Sequence, residues 1–479
     1  MKSGWKSLAG LSMLFAVLYT FCLYENASGI TMPLFAFGFV LLCRKSLVVF
    51  GKRVKKSSIY YEIPILGIGI VTFLTADSRI IVMNHLFFLL AAISYLLHLY
   101  KEDEKWEIPH FVLQLFELVF GSIGKVFAPF SDFNKMLQDK DEMKEKKHKI
   151  QFVAVGMLVS IPMIAIVLVL LMQADIVFGT IVTSLLGKVT IPEHVMGIAM
   201  MTVFGFFLFY CVHIYLNLSK QTQEDKKEKT GEPLIAITFT SMLGLIYLLF
   251  SLIQVFYLFM GFGTLPDGYS YAQYAREGFF QLVALCILNL ILVLVCFYYF
   301  RENKVLRLSL SVISGSTYIM IFSSAYKMIL YIQEYQLTFL RVFVLWDLAL
   351  IFLAMTGIVI AIYKKSFPLL KYGMICFAMW YLLFSLSRPD SYIADYNIAQ
   401  SSKQEQDMDL SYVFSLSADA MNSIAKERNR MLQTKEQDQE SKMFLEASEN
   451  YMDKISRETE NMGMREFNLS YYLAGRWTD

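Results

Sequence analysis

The sequence predicts an all-α fold, a polytopic transmembrane helical bundle of about eleven spans carrying a small helical C-terminal extramembrane domain. Three observations carry that expectation. The 479 residues are 56% apolar and only 18% charged, with a mean hydropathy of +0.49, too apolar for a soluble domain of this length. Successive apolar stretches approach the roughly 20 residues that cross a hydrocarbon core of about 30 Å. Finally, Lys and Arg alternate between rich and nearly empty connections, as the bias of basic residues toward the cytoplasm requires.

The stretches run from Leu8 to Tyr24, Gly29 to Cys43, Ile59 to Ala76, Ile80 to Tyr100, Ile150 to Met172, Val195 to Leu218, Leu234 to Phe262, Glu277 to Phe300, Leu308 to Gln333, Phe339 to Tyr363 and Phe367 to Ser387. The second is the shortest. It is retained because without it the basic run Arg44, Lys45, Lys52, Arg53, Lys55 and Lys56 would fall on the outer side. Basic residues gather at the amino terminus (Lys2, Lys6), in that run, between Lys101 and Lys149, between Lys220 and Lys229, at Arg301, Lys304 and Arg307, and at Lys364 and Lys365. The intervening connections hold only Arg79, Lys188 and Arg276. The amino terminus is therefore expected in the cytoplasm, and an odd number of spans puts the tail outside. Lys2 and Lys6 before an apolar run resemble a signal peptide, but Tyr24-Glu25-Asn26-Ala27-Ser28 is a poor cleavage site, so this reads as an uncleaved first span.

Four regions follow: a four-span block (1–100), a cytoplasmic amphipathic connection (101–149), a seven-span block (150–387) and an extracytoplasmic helical tail (388–479). From Pro109, polar His110, Gln114, Glu117, Gly121 and Lys125 recur at helical spacing among apolar residues, which predicts a helix at the inner interface or covering the bundle from below. Val177, Ile181, Val182, Leu185 and Leu186 predict a second interfacial helix on the outer side. In the tail, Leu410 to Leu416, Met421 to Leu432, Phe444 to Ile455 and Leu469 to Leu473 mark four short helices.

Charged groups in or at the ends of spans are costly and mark candidate sites. Here Arg276, Glu277, Lys327, Glu334, Arg341 and Asp347 gather near the outer ends of spans eight to ten. Lys327 and Asp347 fall at matching depth on adjacent antiparallel spans, so an ion pair between them is geometrically reasonable. Their charges cancel, which fits either a structural network or a pocket for an anionic or lipid ligand. Glu62, Asn84, His85, His213 and Asn289 read as satisfied interhelical contacts.

Other chemistries find no support. The six cysteines lie in or beside apolar spans without a CxxC pair, and the six histidines are scattered singly, so neither a metal site nor a cofactor is expected. The basic residues are partitioned by loop, which excludes nucleic acid. No Walker loop, nucleophile elbow or HExxH is present, and nothing demands an enzyme.

Several strings resemble a known family: Tyr274-Ala275-Arg276-Glu277-Gly278-Phe279-Phe280-Gln281-Leu282, Ser324-Ala325-Tyr326-Lys327-Met328, Leu337-Thr338-Phe339-Leu340-Arg341, Arg388-Pro389-Asp390, and Leu416-Ser417-Ala418-Asp419-Ala420. They are similar to signatures of a bacterial multi-pass membrane family catalogued as a domain of unknown function, of the forty-one fifty-three and forty-one seventy-three type. The terminal Phe467-Asn468-Leu469-Ser470 looks like its ending. Lys327 stands where that family would have Arg, and Arg388-Pro389-Asp390 where Asn-Pro-Asp is usual. The resemblance covers roughly the last 270 residues well and the first 230 only in hydrophobic pattern. It implies a bacterial plasma-membrane location and makes Arg276, Glu277, Lys327 and Arg341 the leading site residues. The expectation is a non-enzymatic envelope component that senses, scaffolds or binds an anionic or lipid ligand, with an envelope protein partner met through the tail. A secondary transporter is the alternative, and a membrane-embedded transferase acting on a lipid-linked substrate ranks third.

Overall fold

The computed structural model describes residues 2–138, 164, 167–168, 171–172, 174–186, 193–219, 229–256, 278–404, 409–433 and 439–477. Apart from one isolated bridge between Gly231 and Phe300, the regular structure among these residues is helical. The membrane block comprises α1 (Lys2–Leu23), α2 (Thr31–Val49), α3 (Ile59–Leu74, opened by a 3-10 turn at Lys56–Ser58), α4 (Ser78–Tyr100), α5 (Ile108–Ile123), α6 (Ala128–Gln138), α7 (Ile176–Leu186), α8 (Glu193–Leu218), α9 (Pro233–Gln254), α10 (Phe279–Tyr299), α11 (Lys304–Tyr335), α12 (Phe339–Tyr363) and α13 (Leu369–Leu386). The tail holds α14 (Pro389–Gln404), α15 (Leu410–Val413), α16 (Met421–Gln433), α17 (Gln439–Glu460) and α18 (Leu469–Gly475).

Ten of these helices are long and apolar enough to cross a bilayer, and they correspond to ten of the eleven expected spans. The fifth expected span, from Ile150 to Met172, lies almost wholly outside the described residues. The second is longer than its apolar run suggested, because α2 continues through Arg44 and Lys45. What makes Arg44 tolerable there is Glu62 on α3. Its carboxylate accepts from Arg44 Nε at 2.7 Å and Nη2 at 2.6 Å, and from Tyr95 Oη at 2.9 Å. A charge in a span thus acquires a full partner.

Two large apolar cores and a small third one, of Ile68, Phe87 and Tyr381, hold the bundle among the described residues. Helices α1 to α4 enclose one with α8, whose Phe209 stacks on Phe15 at 4.8 Å while Thr202 shares a hydrogen bond with Thr20 at 3.0 Å. Close approach is set by small residues, since a Cβ at Gly205 would stand 3.2 Å from Ala16 Cα. The second core runs through α9 to α13 and continues into the tail. Asn84 joins the two halves: it donates to Thr72 at 3.0 Å and accepts from Tyr381 at 2.7 Å and Ser385 at 2.8 Å, linking α3, α4 and α13.

Helix α5 has the expected period with a telling orientation. Its buried positions are His110, Gln114, Leu118 and Ser122, while Leu113, Phe116, Phe120 and Ile123 are exposed. A helix that turns its polar stripe to the protein and its aromatic face outward suits a lipid surface.

The connections sort to two faces. The turns at Glu25 to Ile30, Thr75 to Asp77 and Gln336 to Thr338 meet the tail, and Glu25 also pairs with His194 at 3.2 Å. At the other face Lys55 donates to the Lys101 carbonyl at 2.7 Å and Lys365 pairs with Glu302 at 2.6 Å.

Candidate functional site

Where the tail meets the bundle, three carboxylates and two guanidinium groups interlock. Asp77 caps the start of α4 by accepting from the Arg79 amide at 2.9 Å. The Arg79 side chain returns to the same carboxylate with Nε and Nη2, both at 2.9 Å, and reaches Asp390 at 2.5 Å. Its guanidinium also lies 4.0 Å from the Phe339 ring centroid, so one side chain joins α4, α12 and α14. Asp390 is fully buried and accepts from the Ser417 amide at 2.9 Å.

Asp419, almost wholly buried, sits beside this cluster. It accepts from Thr75 Oγ1 at 2.6 Å, from the Ala76 amide at 3.3 Å, from Arg388 Nη2 at 2.8 Å and from Ser470 Oγ. Arg388 adopts a left-handed backbone, φ 52°, at the junction between α13 and α14, which turns its guanidinium back toward both Asp419 and Ser470. Asn468 donates to the Ser28 and Thr75 carbonyls at 3.0 and 2.9 Å, and a Cβ at Gly29 would stand 1.9 Å from the Arg465 carbonyl oxygen. The cap therefore closes on the turns after α1 and α3 and on the end of α13.

Burial first, and then the neighbouring Asp77 charge, push the Asp390 carboxyl up, against the Ser417 hydrogen bond and the Arg79 charge. Three carboxylates face two guanidiniums, so the cluster carries a formal surplus of one negative charge. It can clamp the tail or take up a proton; a site for an anion it is not.

The six residues expected to form a site fare differently. Arg276 and Glu277 lie outside the described residues. Lys327 is buried on α11, with 5% of its surface exposed, and Asp347 is half-buried on α12. Among the described residues no ion pair joins these two. Glu334 is exposed near the end of α11. Arg341 donates to the Tyr335 and Gln336 carbonyls and lies 4.3 Å from the Tyr331 ring centroid, capping the end of α11. The clamp residues Asp77, Arg79 and Asp419 were not singled out by charge pattern. Arg79 stood in the sequence as the lone base of its short connection, two residues after Asp77, and that was the available signal. The single polar residues fare as expected at Glu62 and Asn84, and Asn289 donates to Thr317 at 3.0 Å.

A family model described as "Domain of unknown function (DUF4153)" matches residues 63–427, from early in α3 into α16. The match thus takes in the clamp residues from Asp77 to Asp419 and excludes Asn468 and Ser470. No curated protein and no solved structure matches the chain.

Proposed function

Because the chain belongs to the DUF4153 family, whose description names no activity, we propose a function from geometry: an envelope component whose outer domain is clamped to its membrane bundle and serves as a sensing or scaffolding platform. The alternation of basic connections supports a cytoplasmic amino terminus and an extracytoplasmic tail, and the resemblance to a bacterial family supports a bacterial plasma membrane. The observation that carries the reading is the convergence of Arg79 and Arg388 on Asp77, Asp390 and Asp419, which ties the tail to the turn between α3 and α4 and to the end of α13. A platform fixed at several points moves with the spans beneath it, so a partner or lipid engaging the tail biases the bundle.

The experiment is proteolysis of sealed vesicles. In right-side-out vesicles an external protease should leave the wild-type tail largely resistant, and Arg388→Ala or Asp419→Asn should raise tail cleavage several-fold while the spans stay intact. Equal resistance in wild type and variants would remove the clamp from the reading. Cleavage confined to inside-out vesicles would reverse the orientation.

A second reading, transport, is favoured by one observation. Asn289 Oδ1, Ser323 Oγ and Ser324 Oγ are buried polar atoms of α10 and α11 without hydrogen-bond partners among the described residues, in the membrane interior on the helices beside Asp347. Such groups suit a polar path. Single Lys327→Ala and Asp347→Ala variants that keep wild-type abundance yet abolish proton-coupled uptake in proteoliposomes would favour this reading. Loss of abundance rescued by the double apolar variant would mark both as structural.

A further inference from the structure

On the face opposite the tail, Ser57, His98 and Asp103 form a chain of hydrogen bonds that the clamp does not use. Ser57 Oγ lies 3.1 Å from His98 Nε2, and His98 Nδ1 lies 2.8 Å from Asp103 Oδ1. An ionised carboxylate only accepts, so Nδ1 carries a proton, and whenever the ring is neutral Nε2 accepts from the Ser57 hydroxyl. That is the order and the tautomer of a nucleophile, a general base and its orienting acid.

The surroundings support the arrangement. Tyr61 stacks on the imidazole at 4.3 Å and donates to Asp103 Oδ2 at 2.7 Å, fixing ring and carboxylate together. His98 and Asp103 are 3% and 7% exposed, whereas Ser57 is only half-buried, so the base is sheltered and the nucleophile accessible. Ser57 stands in the 3-10 turn that opens α3, where the positive end of the helix dipole favours a developing oxyanion.

Ser57 and His98 line a cavity of about 420 Å³, the size of a small-molecule site, with Asp103 behind them. Glu104 and Lys371 line it with Ser57 and His98, and Phe87, Met374, Ala378 and Leu382 also line it. Lys371 and Leu382 lie eleven positions apart on α13, or roughly 16 Å along the helix. The walls thus run from the bundle surface into the apolar interior, with one amine and one carboxylate at the polar end. This is the outline of an acyl chain below a zwitterionic headgroup.

We propose that Ser57, His98 and Asp103 hydrolyse the acyl ester of a zwitterionic glycerophospholipid seated in this cavity. Ser57 Oγ bonds to the ester carbonyl carbon as its proton passes to His98 Nε2. The bond from that carbon to the glycerol oxygen breaks, and the departing oxygen takes the proton from His98. Water then attacks the acyl-serine and gives a proton to His98, which returns it to Ser57 Oγ, releasing a fatty acid and leaving a lysophospholipid. His98 is the catalytic base, and Asp103 is a positioning residue that holds its tautomer.

The test treats the purified full-length protein in detergent micelles with a fluorophosphonate probe and, separately, with palmitoyl-oleoyl phosphatidylethanolamine. The probe should phosphonylate Ser57, located by mass spectrometry, and fatty acid should be released. Ser57→Ala should lower both at least tenfold. Asp103→Asn should lower the labelling rate at least tenfold and alter its pH profile, which a merely structural carboxylate would not do. Absence of label on folded wild-type protein, under conditions that label a control serine hydrolase, would overturn the proposal. So would equal lipid hydrolysis by Ser57→Ala. If a variant fails to fold, mapping the label on the wild-type protein decides alone. None of these outcomes depends on how the tail is clamped.

Discussion

Asn397 pairs with the backbone of Leu337 as a neighbouring strand would: the Leu337 amide donates to Oδ1 at 2.8 Å, and Nδ2 donates to the Leu337 carbonyl at 2.9 Å. The turn between α11 and α12 needs this, because Gln336 leaves the helix with φ 65° and no ladder takes up the next residue's polar groups. Asn397→Ala should strand a buried amide and carbonyl and destabilise the protein by roughly 2–4 kcal/mol. Asn397→Asp should fall between, since only the donor is lost. Thermal unfolding in detergent checks both.

Gly29 offers a sharper test of docking. A Cβ there would meet the Arg465 carbonyl oxygen at 1.9 Å, and backbone cannot swing aside as a side chain can. Gly29→Ala should loosen the tail without touching the clamp charges, costing about 1–3 kcal/mol. Hydrogen exchange should rise at Arg465 to Ser470 and stay unchanged within the spans.

Asn84 holds three helices with three hydrogen bonds inside the membrane block. Buried interhelical hydrogen bonds in membranes are worth about 0.6 kcal/mol each on average, so Asn84→Ala should cost roughly 2 kcal/mol. Tyr381→Phe should cost about a third of that. Denaturant titration of the folded protein in micelles measures the ratio.

Two carboxylates outside the spans respond to pH with opposite sign. Burial would raise Asp103, but hydrogen bonds from His98 and Tyr61, together with the His98 and Lys55 charges, hold it below the usual carboxylate value. Its contribution is present above the ordinary 3.8 and is lost as pH falls through the lower folded value. Asp390 is raised, so its contribution is complete below 3.8 and is lost as pH climbs through the higher folded value. Asp390→Asn should therefore remove a fall in unfolding temperature on the alkaline side of 3.8, and Asp103→Asn a fall on the acid side. Unfolding temperature measured against pH separates them.

The helices were legible in the chain because a bilayer imposes one length and one composition on each crossing. Even the weak second span followed from where its basic residues had to lie. What could not be read was Arg44 inside α2, since Glu62, which makes it affordable, is 18 positions away. The clamp was illegible for the same reason on a larger scale: Thr75 and Asp419 meet across 344 positions, and each looks ordinary in its own turn. Arg388 and Asp419 were noticed through family strings, not through any local pattern. Ser57, His98 and Asp103 follow no motif spacing, because a triad is defined by geometry and not by order. The four tail helices after Leu410 were readable from their apolar spacing, while polar α14 was not.

The antiparallel pairing of α1 with α8 has a consequence for biogenesis. Helix α1 meets this neighbour only after some 170 further residues are made, roughly 10–30 s at an elongation rate of about 5–20 residues per second. During that interval α2 can already cover Phe15 through Phe35 and Phe39, but the side of α1 that carries Thr20 waits for Thr202, so the order of synthesis leaves one face of α1 uncovered longest.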